Sequence, residues 1–373
     1  MRKMSIVASI VALFYASGIL FAVEAAMKTR TAPGAIAWSV SLVSFPFVSV
    51  PAYLFFGRNK FQGMAEAFSE RREEFDGLLV NIRDNLDPWE VSAGNVPSWY
   101  VAIRKLTGSV LTRNNRVDLL IDGEATFDSI LDGIAAAQHY VLFQFYMIHD
   151  DELGRQVQDA LVERARSGVR VLVLYDEVGS SGLPDAYVDA LTSAGVAVSS
   201  FKPTQGWRNH FQLNFRNHRK MVVVDGHVAW VGGHNVGDEY MGRDPDFTPW
   251  RDTHVRIEGP AALQVQMTVL ADWYWATRET PALNWTPHVP EDGTQMVMVL
   301  PTGPIGRHET ASLLFVSALS AARERIWMSA PDFVPDEAVM KALELAALRG
   351  VDVRIITTGK PDSLPVYLAA FHY

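Results

Sequence analysis

Residues 136–174 read AAQHYVLFQFYMIHDDELGRQVQDALVERARSGVRVLVL. An apolar run at Tyr140–Phe145 has strand character. An acidic loop follows at Asp150-Asp151-Glu152, then an amphipathic helical pattern, a Gly168-Val169 turn and a second apolar run. Strand, helix and strand at this spacing imply a βαβ unit on a largely parallel sheet. Residues 321–356, AARERIWMSAPDFVPDEAVMKALELAALRGVDVRII, repeat the same order. Gly350-Val351 falls 182 residues after Gly168-Val169. Units of this kind resemble one another through physics alone, but the shared Ala-Leu…Arg…Gly-Val pattern favours duplication. The fold class is therefore α/β, with a sheet flanked by helices. One complete half is expected over 111–285 and the opening of a second over 286–373.

The stretch before this repeat has a different character. No charged residue occurs from Met4 to Val23, and roughly twenty apolar residues suffice for a helix to span a bilayer. Glu24, Lys28 and Arg30 follow, then a second uncharged run from Thr31 to Gly57. Pro33, Pro46 and Pro51 in that run are tolerated in membrane helices. Residues 1–60 are therefore expected to form a two-helix transmembrane hairpin, and 61–110 a linker with amphipathic helical pieces. A cleaved signal peptide with Arg2 and Lys3 as its basic start is the alternative for the first run. Two spans would put both ends of the hairpin on one side. Arg2, Lys3, Arg58, Lys60, Arg71 and Arg72 flank that side, against Lys28 and Arg30 in the loop. The positive-inside rule then favours a cytoplasmic globular part and a multi-pass protein of a bacterial inner membrane.

Composition narrows the chemistry. The 373 residues carry a formal net charge of −9, which argues against a nucleic-acid partner. There is no cysteine, so disulfides, thiolate metal sites and a cysteine nucleophile are excluded.

The chemistry concentrates in residues 217–235, NHRKMVVVDGHVAWVGGHN. Met221–Val224 reads as a strand, Asp225-Gly226 as a tight hairpin turn and Val228–Val231 as the returning strand. Side chains alternate along a strand, so His218 and Lys220 share a face. Gly232 and Gly233 would let backbone approach a ligand closely, and Asn235 offers an amide donor just beyond. A neutral imidazole is a competent nucleophile near pH 7, and a lysine beside it neutralises phosphate oxygens. Glycine amides and Asn235 would add donors as charge builds in the transition state. This pairing suits attack on a phosphodiester, and the scheme requires no metal or other cofactor.

The spacing His-x-Lys, four residues, Asp, six residues, Gly-Gly-x-Asn resembles the full signature of the phospholipase D superfamily. More narrowly the chain resembles the bacterial cardiolipin synthases of that superfamily. The resemblance rests on Tyr53-Leu54-Phe55-Phe56-Gly57-Arg58, on Asn214-Phe215-Arg216-Asn217-His218-Arg219-Lys220 and on Trp250-Arg251-Asp252-Thr253-His254-Val255-Arg256-Ile257-Glu258-Gly259-Pro260. It implies a mixed sheet and a pair of catalytic histidines, one from each half. One attacks the phosphorus of phosphatidylglycerol and releases glycerol; the other serves as general acid, then as base for a second phosphatidylglycerol. Cardiolipin is the product. The resemblance makes His218, Lys220 and Asp225 catalytic, with Asn235, Gly232 and Gly233 at the substrate.

Several residues carry two readings. Asp225 belongs to the signature, yet its place in a hairpin turn gives it a structural task. Asp252, at the start of a later strand, either orients His218 or is an ordinary strand-end carboxylate. The stretch Gly206–Arg216, rich in basic and aromatic side chains, either holds an anionic headgroup or packs as a loop. His139, His149, His227, His234 and His254 show no ligand spacing. The repeat offset puts the second histidine near position 400, whereas the sequence ends at Tyr373. The expectation is a fragment of a longer enzyme, inactive alone. A phospholipase D-type hydrolase, a nuclease completed by dimerisation and an inactive membrane protein are the alternatives.

Overall fold

The computed structural model describes residues 2–29, 31–57, 80, 82–92, 96–202, 216–245, 248–303, 310–331, 333–357 and 368. The chain divides into two compact units, Met1–Glu90 with Leu111–Val299, and Val91–Val110 with Leu300–Tyr373. The stretch expected as a linker is thus split between the two, and the first unit runs past 285.

In the first unit, strand alternation builds two cores on opposite faces of one sheet. Strands β1 (Thr112–Ile121), β2 (Tyr140–Phe145), β3 (Arg170–Asp176), β4 (Ala197–Phe201), β5 (Met221–Val224), β6 (Val228–Gly232), β7 (Thr253–Glu258) and β8 (Gln295–Val297) form it. Their order is β4-β3-β2-β5-β6-β7-β1-β8. Val141, Phe143 and Phe145 of β2, with Val222 and Val224 of β5, face one core. There they meet Phe127, Ile130 and Ile134 of helix α5 (Asp122–Ala136), Leu153, Val157 and Leu161 of α6 (Glu152–Arg166) and Tyr187 and Leu191 of α7 (Asp185–Ser193). Leu142, Leu172, Leu174, Met221 and Val223 face the other, covered by helix α8 (Ala262–Thr277) through Val265, Val269 and Trp273. The period of two along each strand assigns these faces.

The sheet is mixed, as the family resemblance implied, and only in part parallel, as the βαβ spacing alone suggested. β2–β3 and β3–β4 pair in parallel, while β5 pairs antiparallel with both β2 and β6, and β6–β7, β7–β1 and β1–β8 are antiparallel. A tight turn can only join antiparallel strands, and the three residues Asp225-Gly226-His227 make one, with Asp225-Gly226 at the centre and the His227 amide donating to the Val224 carbonyl at 3.0 Å. Its φ angles of 55° and 74° have the signs a type I′ turn requires. The result is a mixed sheet in which β5 starts beside the end of β2.

The N-terminal apolar segment departs from a two-span hairpin. Helix α1 (Arg2–Lys28) contains a 23-residue apolar stretch, Ile6–Lys28, long enough to cross a membrane. The second apolar run is two shorter helices, α2 (Ala32–Ser44) and α3 (Pro46–Phe56). α2 packs antiparallel on α1: Ser39 Oγ donates to the Ala22 carbonyl at 3.2 Å, and a Cβ on Gly18 would overlap the Leu42 carbonyl. α3 then turns back. Phe47 stacks on Phe14 at 5.0 Å, whereas Tyr53 lies 5.8 Å from Phe21 and 5.2 Å from Trp38. Pro46 explains the break, because proline disfavours helix at the residue before it and fits the first turn of the next.

The second unit holds α4 (Ser98–Thr107), α9 (Thr310–Ala321), β9 (Arg325–Ser329), α10 (Glu337–Leu348) and β10 (Asp352–Ile356). β9 and β10 pair in parallel, as β2 and β3 do. Ile326, Val339, Ala342, Leu343, Ala346 and Val351 make its core. The two Gly-Val turns have the same hook. Gly168 and Gly350 take φ of 92° and 86°, and the Val169 and Val351 amides reach back to the Arg164 and Ala346 carbonyls at 3.1 Å each. This left-handed glycine cap ends each helix and starts each strand.

Candidate active site

His218 and Lys220 stand on the segment entering β5. Because β5 runs antiparallel to β2, with Met221 opposite Gln144, that segment lies beside the C-terminal ends of β2 and β3. Carboxyl ends of parallel strands are where α/β sheets usually bind ligands. Tyr146, the residue after β2, stacks on His218 with ring centroids 3.9 Å apart and 18° between planes. Lys220 Nζ lies 5.2 Å from the centre of the same ring and donates to the His218 carbonyl at 2.7 Å.

The electrostatics follow from this crowding. Partial burial, then the Lys220 charge, holds the His218 pKa below the ordinary histidine value, with Arg216 adding and Asp176 opposing. His218 therefore presents a neutral imidazole at pH 7. Burial also pushes Lys220 down to about 8, with Asp252 opposing.

The segment is held from beneath. Asp176, 1% exposed at the end of β3, accepts the Asn217 amide at 2.9 Å. Asp272 of α8, also 1% exposed, accepts Asn217 Nδ2 at 2.8 Å, Gln144 Nε2 at 2.7 Å and Arg219 Nη1 at 2.6 and 2.7 Å.

Asp225 sits at the far end of β5, about 16 Å from Lys220 at roughly 3.3 Å per residue. Its carboxylate accepts the backbone amides of Gln138, His139 and Tyr140, each at 2.8 Å. The structure therefore does not bring it to His218. Its task here is to tie the hairpin turn to the start of β2.

A family model described as "Cardiolipin synthase, PLD-like domain" matches residues 130–264 and 315–372. A cardiolipin synthase A of Pseudomonas fluorescens (strain SBW25) is 46% identical over 99% of this chain and 77% of its own length. This chain belongs to the cardiolipin synthase family of the phospholipase D superfamily. It is an enzyme of the phosphatidyltransferase type. A cardiolipin synthase A of Pseudomonas syringae pv. syringae (strain B728a) is 47% identical over 94% of this chain and 74% of its own. Among solved structures, a phosphatidylserine synthase of Haemophilus influenzae Rd KW20 matches with a TM-score of 0.48 at 12% identity, over 74% of this chain and 71% of that one.

The remaining signature positions of this cardiolipin synthase family member serve the scaffold. Asn235 Oδ1 accepts the Met147 amide at 3.1 Å, and its Nδ2 donates to the Tyr240 hydroxyl at 2.7 Å. The amide thus anchors the residue next to Tyr146. A Cβ on Gly232 would overlap the His254 ring, and one on Gly233 would overlap the Asp252 carboxylate. The space these glycines leave on their Cβ side is filled by protein. Asp252 accepts the Thr253 amide at 2.7 Å. Among the described residues no carboxylate hydrogen-bonds the His218 ring; the Asp252 charge acts on Lys220 and His234. His234 and His254 face one another across 3.1 Å between Nδ1 atoms, and burial, first of all causes, depresses His254 to about 3.

His149, Asp151 and Glu239 bring ligand atoms within 4.8 Å of one another. Asp151, however, is committed to the Gly154 and Asp238 amides, and a hydrogen bond to Glu239 raises the His149 pKa. The trio is accounted for as packing around the start of α6. The basic and aromatic stretch 206–215 lies outside the described residues. Tyr146, Asp176 and Asp272 were missed from sequence. Tyr146 directly follows a predicted strand, which marks a strand end over the sheet; nothing local marks Asp272.

Proposed function

We propose that His218 is one of two histidines that transfer a phosphatidyl group from phosphatidylglycerol. The observation supporting this most strongly is the neutral His218 ring stacked on Tyr146, with the Lys220 ammonium against the same tyrosine ring and bonded to the His218 carbonyl. In the first step an imidazole nitrogen forms a bond to phosphorus while the phosphorus–glycerol oxygen bond breaks. The partner histidine protonates the departing glycerol oxygen. In the second step the partner removes the proton from a hydroxyl of another phosphatidylglycerol, whose oxygen displaces the imidazole and yields cardiolipin. Lys220 neutralises the phosphoryl oxygens through both steps. Either histidine of the pair can be the nucleophile.

No second His-x-Lys occurs in residues 1–373, and the repeat offset places the partner near position 400. The shared strand pairing and glycine hooks of the two βαβ units support a duplicated fold, with the first half running from 111 to about 299 and the second from about 300 onward. The cardiolipin synthase relatives support a lipid partner, and the acidic balance argues against a nucleic acid. For the membrane anchor we infer that α1 crosses the bilayer and that α2–α3 re-enters it. Lys28, Arg30, Arg58, Lys60, Arg71 and Arg72 then share one side, against Arg2 and Lys3. The positive-inside rule keeps the globular part cytoplasmic and moves the N-terminus to the opposite face.

The test uses phosphatidylglycerol labelled in both its phosphate and its headgroup glycerol, with the form that carries both histidines. Cardiolipin and glycerol are expected, with loss of both in His218→Asn. Phosphatidic acid as the main product would favour a hydrolase instead.

A further inference from the structure

The residues on either side of His218 make more contacts into the protein than His218 itself. His218 and Lys220 meet the Tyr146 ring, whereas the side chains of Asn217 and Arg219 turn inward instead. Both end on the same carboxylate, Asp272, which a neighbouring strand also reaches through Gln144. The backbone is fixed as well. Asp176 takes the Asn217 amide, and Asn217 Oδ1 takes the Arg219 amide at 3.1 Å.

We propose that Asp272 is a positioning residue for His218 and Lys220, acting through a clasp with Asn217 and Arg219. The inference rests on the reading of His218 as a reacting group. Two physical points carry it. First, residues 216–220 have no helix or strand hydrogen bonds of their own, so side chains must fix their course. Second, a carboxylate buried at this depth costs several kcal/mol of solvation, and an apolar pair of similar volume would fill the space at no such cost. What an Arg–Asp pair with two amide donors adds is a single direction for each partner. One carboxylate thereby registers β2, α8 and the histidine segment against each other. Asp272 lies 54 positions from His218 in sequence and touches no reacting atom. Arg219 is likewise turned inward by its pairing, so the central residue of His-Arg-Lys serves the segment's course.

The test reads His218 directly, without turnover. The full chain in detergent is treated with diethyl pyrocarbonate across pH 5 to 8, and carbethoxylation of His218 is followed by peptide mass spectrometry. In the native chain half-maximal labelling is expected below the ordinary histidine pKa of about 6.5. The charge-balanced double variant Arg219→Met/Asp272→Leu should free the segment and let the ring hydrate. Its half-maximal pH should then rise, and labelling at pH 5.5 should fall about two- to threefold relative to the pH 8 plateau for a half-unit rise. Arg219→Lys, which keeps a cation opposite Asp272, should retain the native profile. If the double variant does not fold, Asn217→Ala removes one arm of the clasp and is read in the same way. A native pH profile in a folded double variant, or in Asn217→Ala where the double variant does not fold, overturns the proposal. If instead the profile shifts as expected while phosphatidylglycerol labelling does not depend on His218, the clasp stands and the catalytic reading fails.

Discussion

Tyr146 lies flat on His218, and the same ring sits beneath the Lys220 ammonium, so one aromatic residue touches both halves of the His-x-Lys pair. Stacking and the cation–π contact are each worth about 1 kcal/mol. Tyr146→Ala should therefore lower kcat/KM for phosphatidyl transfer by up to about thirtyfold, the equivalent of about 2 kcal/mol, and His218 should titrate closer to its ordinary value. Tyr146→Phe keeps the ring and should retain most of the rate. Equal losses in the two variants would move the role from the ring to the hydroxyl.

Lys220 sets the alkaline limit. Its pKa is lowered from 10.5 to about 8, so the ammonium is lost as pH rises through about 8. Since kcat/KM reports the free enzyme, it should fall above about pH 8. Lys220→Arg keeps its charge at all working pH and should remove that limb. Asp252 opposes the depression, so Asp252→Asn should shift the limb to lower pH. An alkaline limb unmoved by both changes would exclude Lys220 as its source.

The order of strands and helices was legible because apolar period and turn residues are local. Asp225-Gly226 announced an antiparallel hairpin, and the two Gly-Val pairs announced helix ends. The mixed sheet was legible only through the family motifs and not through local pattern, because whether β5 pairs antiparallel to β2 is decided by the path of the chain between them. His218 and Lys220 were visible as neighbours on one strand. Their support was not: Asp176 and Asp272 come from β3 and α8, and only folding brings them under Asn217. The side chains packed against Gly232 and Gly233 were not legible either, since a glycine signals close approach without saying whether a ligand or a side chain approaches.

Asp225 separates stability from chemistry. Its carboxylate is 8% exposed and accepts three amides. Asp225→Ala leaves all three unpaired, at about 1 kcal/mol or more each. The midpoint of thermal unfolding should fall by roughly 6–12 °C, at ~2–4 °C per kcal/mol for a unit of this size. Activity should track the folded fraction. His218→Ala should do the reverse, losing transfer while its unfolding midpoint stays near native. Full stability in Asp225→Ala with lost activity would return Asp225 to the chemistry.

The N-terminal helices give the two membrane arrangements opposite signatures. If α2 and α3 were one continuous span, Thr29 and Phe56 would emerge on opposite faces of the membrane. The observed pairing of Phe47 with Phe14 and of Tyr53 with Phe21 instead returns α3 to the level at which α2 began. The 13 residues of α2 rise only about 20 Å at 1.5 Å each, short of the ~30 Å hydrocarbon core. The native sequence has no cysteine, so single substitutions report cleanly. Thr29→Cys and Phe56→Cys should react with an impermeant maleimide from the same side of sealed vesicles, and Ser5→Cys from the other. Thr29→Cys and Phe56→Cys reacting from opposite sides would restore the two-span hairpin and return the N-terminus to the face that holds the globular part.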